Sequence, residues 1–218
     1  MSPSVSALRP SLSSSPTIEA DIDLLADLFG RARSSTAGRA AAASLIEAFG
    51  GLAGVASADE AALRRQGLSN AVVAEFSRVR ALALAMVRAE ACRRPVLSSW
   101  SALVAYLRAA LAHAPREQFR ALYLDKRNIL IREEMRMDGT VDHAPVYPRE
   151  VVRRALELSA SAMILVHNHP SGDPTPSRAD IDMTRKIIDA ARVFDIEVHD
   201  HVIVGREGTK SFRALGLM

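Results

Sequence analysis

The segment richest in chemistry runs His167-Asn168-His169-Pro170-Ser171-Gly172-Asp173-Pro174-Thr175-Pro176-Ser177-Arg178-Ala179-Asp180. Its two histidines follow Ala162-Met163-Ile164-Leu165-Val166, an apolar run of strand length. A strand turns every second side chain to the same face, so both imidazoles project together. Pro170 stops the strand, a loop of Gly and Pro returns the chain, and Ser177 begins a helix. Asp180 falls in the first turn of that helix, from which it can point back at the imidazoles. Two histidines and a carboxylate leave the fourth position of a zinc ion open to water, the composition of a catalytic rather than a closed structural site. Zinc in such a site lowers the pKa of its water to about 7 and polarises a carbonyl. Ser177-x-x-Asp180 is also a capping box with Asp as the third residue. The two readings are compatible: Ser177 caps while Asp180 reaches the metal.

A second His-x-His, His199-Asp200-His201, serves as an internal control. It lies in a strand but lacks both the Pro-Gly loop and a following carboxylate-bearing helix. It reads as core or as an outer support of the site, with Asp200 orienting an imidazole. Asn168, between the first pair, should face the other side of its strand and brace the loop by hydrogen bonds. Asp173 reads as a turn residue in Gly-Asp-Pro, and Ser171 can be read either way. No Gly-x-Ser-x-Gly elbow is present, so a Ser-His-Asp hydrolase is disfavoured.

The elements that must position these residues are legible from patterning. Ala162 to Val166 reads as a buried central strand. Ser177 to Val193 reads as a helix and Ile196 to Val204 as another strand. Phe119 to Leu124 and Ile129 to Ile131 form a hairpin about Asp125-Lys126-Arg127-Asn128. Pro148 opens a helix to about Leu158, and Ser98 starts one with Leu103, Tyr106, Leu107 and Leu111 on one face. From Ile18 to about Arg94 the pattern is helical. Ile22, Leu25, Leu28 and Phe29 repeat at helical spacing. Thr36 caps a helix with Ala42, Leu45, Ile46 and Phe49 inward, ended by Gly50-Gly51. Ser57 with Glu60 resembles a capping box. Asn70 or Ser69 caps a long helix to about Arg94, and Pro95 marks a boundary. Met1 to Thr17, rich in Ser and Pro, reads as a disordered tail. The domains expected are thus 18–94, helical, and 96–218, mixed α and β.

Composition narrows the function classes. In 218 residues, 49% are hydrophobic and 24% charged, enough apolar surface to fold. No apolar stretch approaches the ~18 residues of a membrane span, and no secretory signal is visible at the start, so a cytoplasmic location is expected. The single cysteine, Cys92, excludes a disulfide framework and a cysteine-built zinc site. Net charge is +3, with 11 basic and 9 acidic residues up to Pro95 and 17 and 16 after it. Neither half is a basic block that would demand nucleic acid.

The spacing His167-x-His169, seven residues, Ser177, two residues, Asp180 matches the JAMM signature of MPN metalloprotease domains. The longer run from His167 to Asp180 is closer still to the RadC family of bacterial proteins, long associated with DNA repair. Gly139-Thr140-Val141-Asp142, Ala144 to Val152, Asp200 to Gly205 and Ser211-Phe212 also resemble that family, and the likeness extends over about Ile22 to Leu217. The resemblance implies an α+β MPN domain, a mixed sheet flanked by helices, holding one zinc ion through His167, His169 and Asp180. It implies cleavage of an amide or isopeptide bond in a protein or peptide. It also implies an upstream glutamate that activates water, placed where a helix passes into the first strand. Glu117 matches that position; Glu133 and Glu134 compete. Glu117 would act as base and then acid, and the Ser177 hydroxyl would help stabilise the oxyanion.

In RadC proteins the preceding region resembles a helix-hairpin-helix module, whose Gly-x-Gly hairpin presents N–H groups to DNA phosphate. Here the hairpin is Gly67-Leu68-Ser69, so the second glycine is replaced. Arg64, Arg65, Arg78 and Arg80 around it read as phosphate contacts or, preferably, as a solvated helical face. The alternative function is therefore a DNA-associated accessory protein with a non-catalytic metal site.

Overall fold

The computed structural model describes residues 16–29, 35–92, 95–135 and 146–218. The first 15 residues of the expected tail, the side chain of Thr36, Arg94 and the family-like stretch 139–145 lie outside the described residues. The chain divides into two compact units between Ser77 and Arg78.

The first unit is helical. Helices α1 (Pro16–Phe29), α2 (Ser35–Phe49), α3 (Leu52–Ser57), α4 (Glu60–Arg65) and the opening turns of α5 (Asn70–Cys92) follow one another. Leu25, Leu45, Ile46, Val55, Leu63 and Val73 form their core. These are the inward positions of the 3.6-residue period, which gives each helix one apolar stripe to bury. Gly50 and Gly51, at φ +73° and +124°, end α2 as expected, in a backbone region open to glycine. One cap differs from expectation. Ser57 is the buried last residue of α3, and Asp59 caps α4 by accepting from the Ala62 N–H at 2.6 Å. A carboxylate one residue before the helix outcompetes a hydroxyl that the preceding helix has already absorbed. Ser69, rather than Asn70, accepts from the first turn of α5.

The second unit takes in the rest of α5, so Leu84, Val87 and Ala91 pack into its core. A 3-10 turn (Val96–Ser99) leads to α6 (Trp100–Leu111). Then come β1 (Phe119–Leu124), β2 (Leu130–Met135), α7 (Pro148–Glu157), β3 (Ala162–Asn168), α8 (Arg178–Arg192), β4 (Glu197–Gly205) and β5 (Gly208–Ser211). The sheet runs β2-β1-β3-β4-β5, antiparallel except for the parallel β3–β4 pair. This is an α+β architecture.

Period-two alternation assigns the layers. Leu122, Leu124, Ile164, Val166, Val202 and Val204 meet Leu103, Leu107 and Leu111 of α6 on one face. Ala121, Tyr123, Met163, Leu165 and Val198 meet α7 and α8 on the other. β3 is central, covered on both faces, and buried at every position, which is why it reads as an unbroken apolar run. β2 extends four residues beyond the expected strand, Arg132, Glu133, Glu134 and Met135. It is an edge strand, where charge is tolerated and discourages further pairing. β5, Gly-Thr-Lys-Ser, has no apolar alternation to announce it; it forms because the Arg206-Glu207 turn folds it back on β4. No described helix is long and apolar enough to cross a membrane.

Candidate metal centre

The site is built at the carboxyl end of β3. His167 is its penultimate residue, opposite Phe119 of β1 and Ile203 of β4. The backbone stays extended one step further, His169 donating its N–H to the Val204 carbonyl at 3.0 Å. The rings at spacing two therefore converge, with Nε2 atoms 2.9 Å apart.

The loop then turns back under strict steric control. Gly172 adopts φ +104°, and the Arg206 guanidinium packs 3.2 Å from where a Cβ would stand. Arg206 also donates to the Ser171 carbonyl at 2.6 Å. At Gly205 a Cβ would lie 2.1 Å from the Gly172 carbonyl oxygen, so glycine alone lets the loop lie on β4. Asp173 accepts from the Thr175 N–H and hydroxyl, the expected turn role. Its main-chain carbonyl does something the sequence does not suggest: it receives the Nδ1–H of His169 at 2.8 Å. A carbonyl can only accept, so in the neutral ring this bond leaves the His169 Nε2 lone pair toward His167.

Ser177 caps α8 in a reciprocal box, accepting from the Asp180 N–H at 3.2 Å while Asp180 Oδ2 accepts from the Ser177 N–H at 2.7 Å. That box aims the carboxylate. Asp180 Oδ1 stands 3.3 Å from His167 Nε2, and Oδ2 3.5 Å from His169 Nε2. Burial alone would raise the Asp180 pKa. The hydrogen bond and charge of His167, with the Ser177 donors, outweigh it and hold the carboxyl well below the usual range.

Among the described residues His167, His169 and Asp180 form a group able to hold a metal ion, their donor atoms all within 4.8 Å of one another. Two imidazole nitrogens and a carboxylate crowding one point is an arrangement that a cation stabilises, and the donor set suits zinc. Capping and metal-ligating geometry for Asp180 coexist, as the spacing allows.

His201 lies behind the site. It is buried, with its Nε2 2.8 Å from His167 Nδ1 and its Nδ1 2.6 Å from the Thr184 hydroxyl. Burial pushes its pKa well below the ordinary value, and neighbouring His167 adds to the effect. Phe119 and Phe212 pack against its ring. The expectation that Asp200 orients an imidazole is corrected. Asp200 accepts from the His201 and Arg213 N–H groups and pairs with the Ser211 hydroxyl, tying down the chain after β5. Its partners are backbone and a hydroxyl because adjacent residues on a strand point to opposite sides. His199 faces Asn128 Oδ1 at 2.6 Å, away from the metal ligands.

Asn168 braces as expected and does so at a telling place. Its Oδ1 accepts from the Gln118 N–H at 2.9 Å, and its Nδ2 donates to the Arg116 carbonyl at 3.1 Å. It thus clamps the backbone on both sides of Glu117. Glu117 itself is exposed, two residues before Phe119; continuing the β1–β3 register brings it level with His169. The two competing glutamates sit on β2, with β1 between them and β3, and are held by arginines. Glu133 takes Tyr106 at 2.6 Å and Arg120 at 2.7 Å. Glu134 takes Arg154 at 2.6 Å and 2.7 Å.

In the helical unit the hairpin places Gly67 at φ +83°, while Ser69 is not among the positive-φ residues. The replaced glycine thus costs no strain. Arg64 there is engaged by Glu60 and Asn70.

His201 is the outer support that the second His-x-His was read to be, whereas Thr184 is what sequence reading passed over. Thr184 had a signal: it is four residues after Asp180, hence on the same face of α8.

A central mixed sheet with a His-His-Asp cluster at the end of its middle strand, completed by the next helix, defines a JAB-type (MPN) domain. The model of the RadC-like JAB domain matches residues 97–217, just over half of the chain. The chain belongs to the RadC family.

Proposed function

We propose that this protein is a zinc-dependent hydrolase that cleaves an amide bond, in a peptide or an isopeptide-linked protein. The convergence of His167, His169 and Asp180 carries the reading, since three protein donors are the number held by catalytic zinc sites, whose fourth position goes to water or substrate. When bound, zinc supplies Lewis acidity, making water acidic near neutral pH and polarising a carbonyl. The chain's own residues do the rest. Glu117 takes the proton of the attacking water and returns it to the leaving amine, so one group serves as base and then acid. Asn168 keeps the Glu117 backbone at the level of His169 by holding Arg116 and Gln118. The Ser177 oxygen receives the Asp180 N–H, and its own proton turns from the Asp180 carboxylate to the oxygen that gains charge. The engagement of Glu133 and Glu134 by arginines favours Glu117 over them.

The test is hydrolysis of peptide and isopeptide libraries by the zinc-loaded full chain. Glu117→Gln should retain zinc and lower turnover by about 10²- to 10⁴-fold. Full activity in Glu117→Gln with loss in Glu134→Gln would move the base elsewhere. A DNA-binding accessory role would instead show as duplex binding that weakens steeply with salt.

A further inference from the structure

We propose that Thr184 and His201 form a relay that locks the tautomer of His167, making both of them positioning residues of the metal site. The inference rests on the reading of His167 as a ligand and adds what holds it in the ligating form.

Counting protons along the contacts fixes each tautomer. Thr184 Oγ1 lies 2.6 Å from the main-chain carbonyl of Asp180 and 2.6 Å from His201 Nδ1. A threonine hydroxyl has one proton, and a carbonyl can only accept. Both contacts are hydrogen bonds at once only if Thr184 donates to Asp180 and accepts from His201 Nδ1–H. His201 is buried between the Phe119 and Phe212 rings. In its neutral form, with the proton on Nδ1, its Nε2 must accept. That nitrogen is 2.8 Å from His167 Nδ1, which must then carry a proton and donate. In the neutral, ligating form of His167 the remaining nitrogen, Nε2, is left as a lone pair directed at His169 and Asp180.

The chain therefore starts and ends at Asp180. Its carbonyl sets Thr184, Thr184 sets His201, and His201 sets His167, whose free nitrogen faces the Asp180 carboxylate. His169 reaches the same tautomer by a shorter route, through the Asp173 carbonyl. Both imidazoles are thus presented by Nε2, each with its outer N–H held. Such outer partners typically change metal affinity ~10–100-fold when removed.

The experiment uses the ¹⁵N-labelled full chain. Long-range imidazole spectra of the metal-free protein, at a pH alkaline enough for its imidazoles to be neutral, read the tautomers, and competition with a chelator reads zinc affinity. The wild type should show the His167 proton on Nδ1. Thr184→Val should weaken zinc binding by ~10–100-fold, and Thr184→Ser should restore it. His201→Phe keeps a ring between Phe119 and Phe212 but removes the acceptor; it should weaken zinc similarly and release the His167 proton from Nδ1. Combining Thr184→Val with His201→Phe should cost little more than either alone, since both cut one chain. A His167 proton on Nε2 in the wild type would overturn the relay, as would unchanged zinc affinity in both single variants. His169→Ala separates the two layers of the argument. If it binds zinc as the wild type does, the metal site itself is wrong. If it loses zinc while Thr184→Val and His201→Phe do not, the site stands and the relay falls.

Discussion

Two His-x-His segments lie on neighbouring parallel strands of one sheet, and only the first brings its rings together. In β3 the pairing is regular from Ile164 to Asn168, and the extended backbone persists to His169. In β4 the register slips: Met163 pairs with Val198 and Ile164 with Asp200, leaving His199 without a counterpart. An extra residue of this kind interrupts the alternation that spacing two relies on. His199 therefore reaches Asn128 and His201 reaches His167. The first pair also has what the second lacks, a loop that doubles back and a helix whose first turn carries a carboxylate. Identical spacing thus yields a site in one case, and a support plus a structural contact in the other. Register and the succeeding element decide which.

That contrast can be broken from several sides. His167→Ala should have the largest effect. It removes a donor and strands the buried His201 nitrogen, so metal binding should vanish and stability should fall by about 1–3 kcal/mol, read by metal analysis and thermal melting. Gly205→Ala comes next. Its Cβ would force the Gly172 carbonyl away, costing about 1–3 kcal/mol as an overpacked position. Because the loop then shifts the Asp173 carbonyl from His169, zinc affinity should fall with it. Asn168→Ala leaves the Gln118 N–H and Arg116 carbonyl unpaired and should lower stability by about 1–3 kcal/mol in denaturant titrations, with zinc affinity retained. Any hydrolysis should drop, because Glu117 loses its clamp. Ser177→Ala removes the cap of α8 and should cost about 1 kcal/mol. In turnover assays it should affect rate more than substrate affinity. His199→Ala should do least, lowering stability by about 1 kcal/mol through the lost bond to Asn128 and sparing the metal.

Much of this is legible in the sequence. The buried strand, the Pro-Gly return and the capping helix are each dictated by local rules, so the positions of His167, His169 and Asp180 followed from period two and a capping box. The role of Asn168 as a brace followed from the same alternation. What escaped has a physical reason in each case. β5 has no apolar pattern because its pairing is driven by a tight turn after Gly205. Asp59 displaced Ser57 as a cap because α3, a six-residue helix, had already consumed the serine. The slip at His199 leaves no mark in composition, so the role of Asp200, and which of the two histidines supports the site, depended on a register that emerges only when two strands pair. The relay through Thr184 joins residues from three elements, a relation that no spacing within one segment encodes.

The central claim is tested most directly by counting zinc in the purified full chain, the wild type beside His169→Ala and His199→Ala, after equilibration with the metal and removal of the excess. The account predicts close to one ion per chain in the wild type and in His199→Ala, and none in His169→Ala. Equal zinc in all three proteins, or its loss from His199→Ala alone, would contradict it.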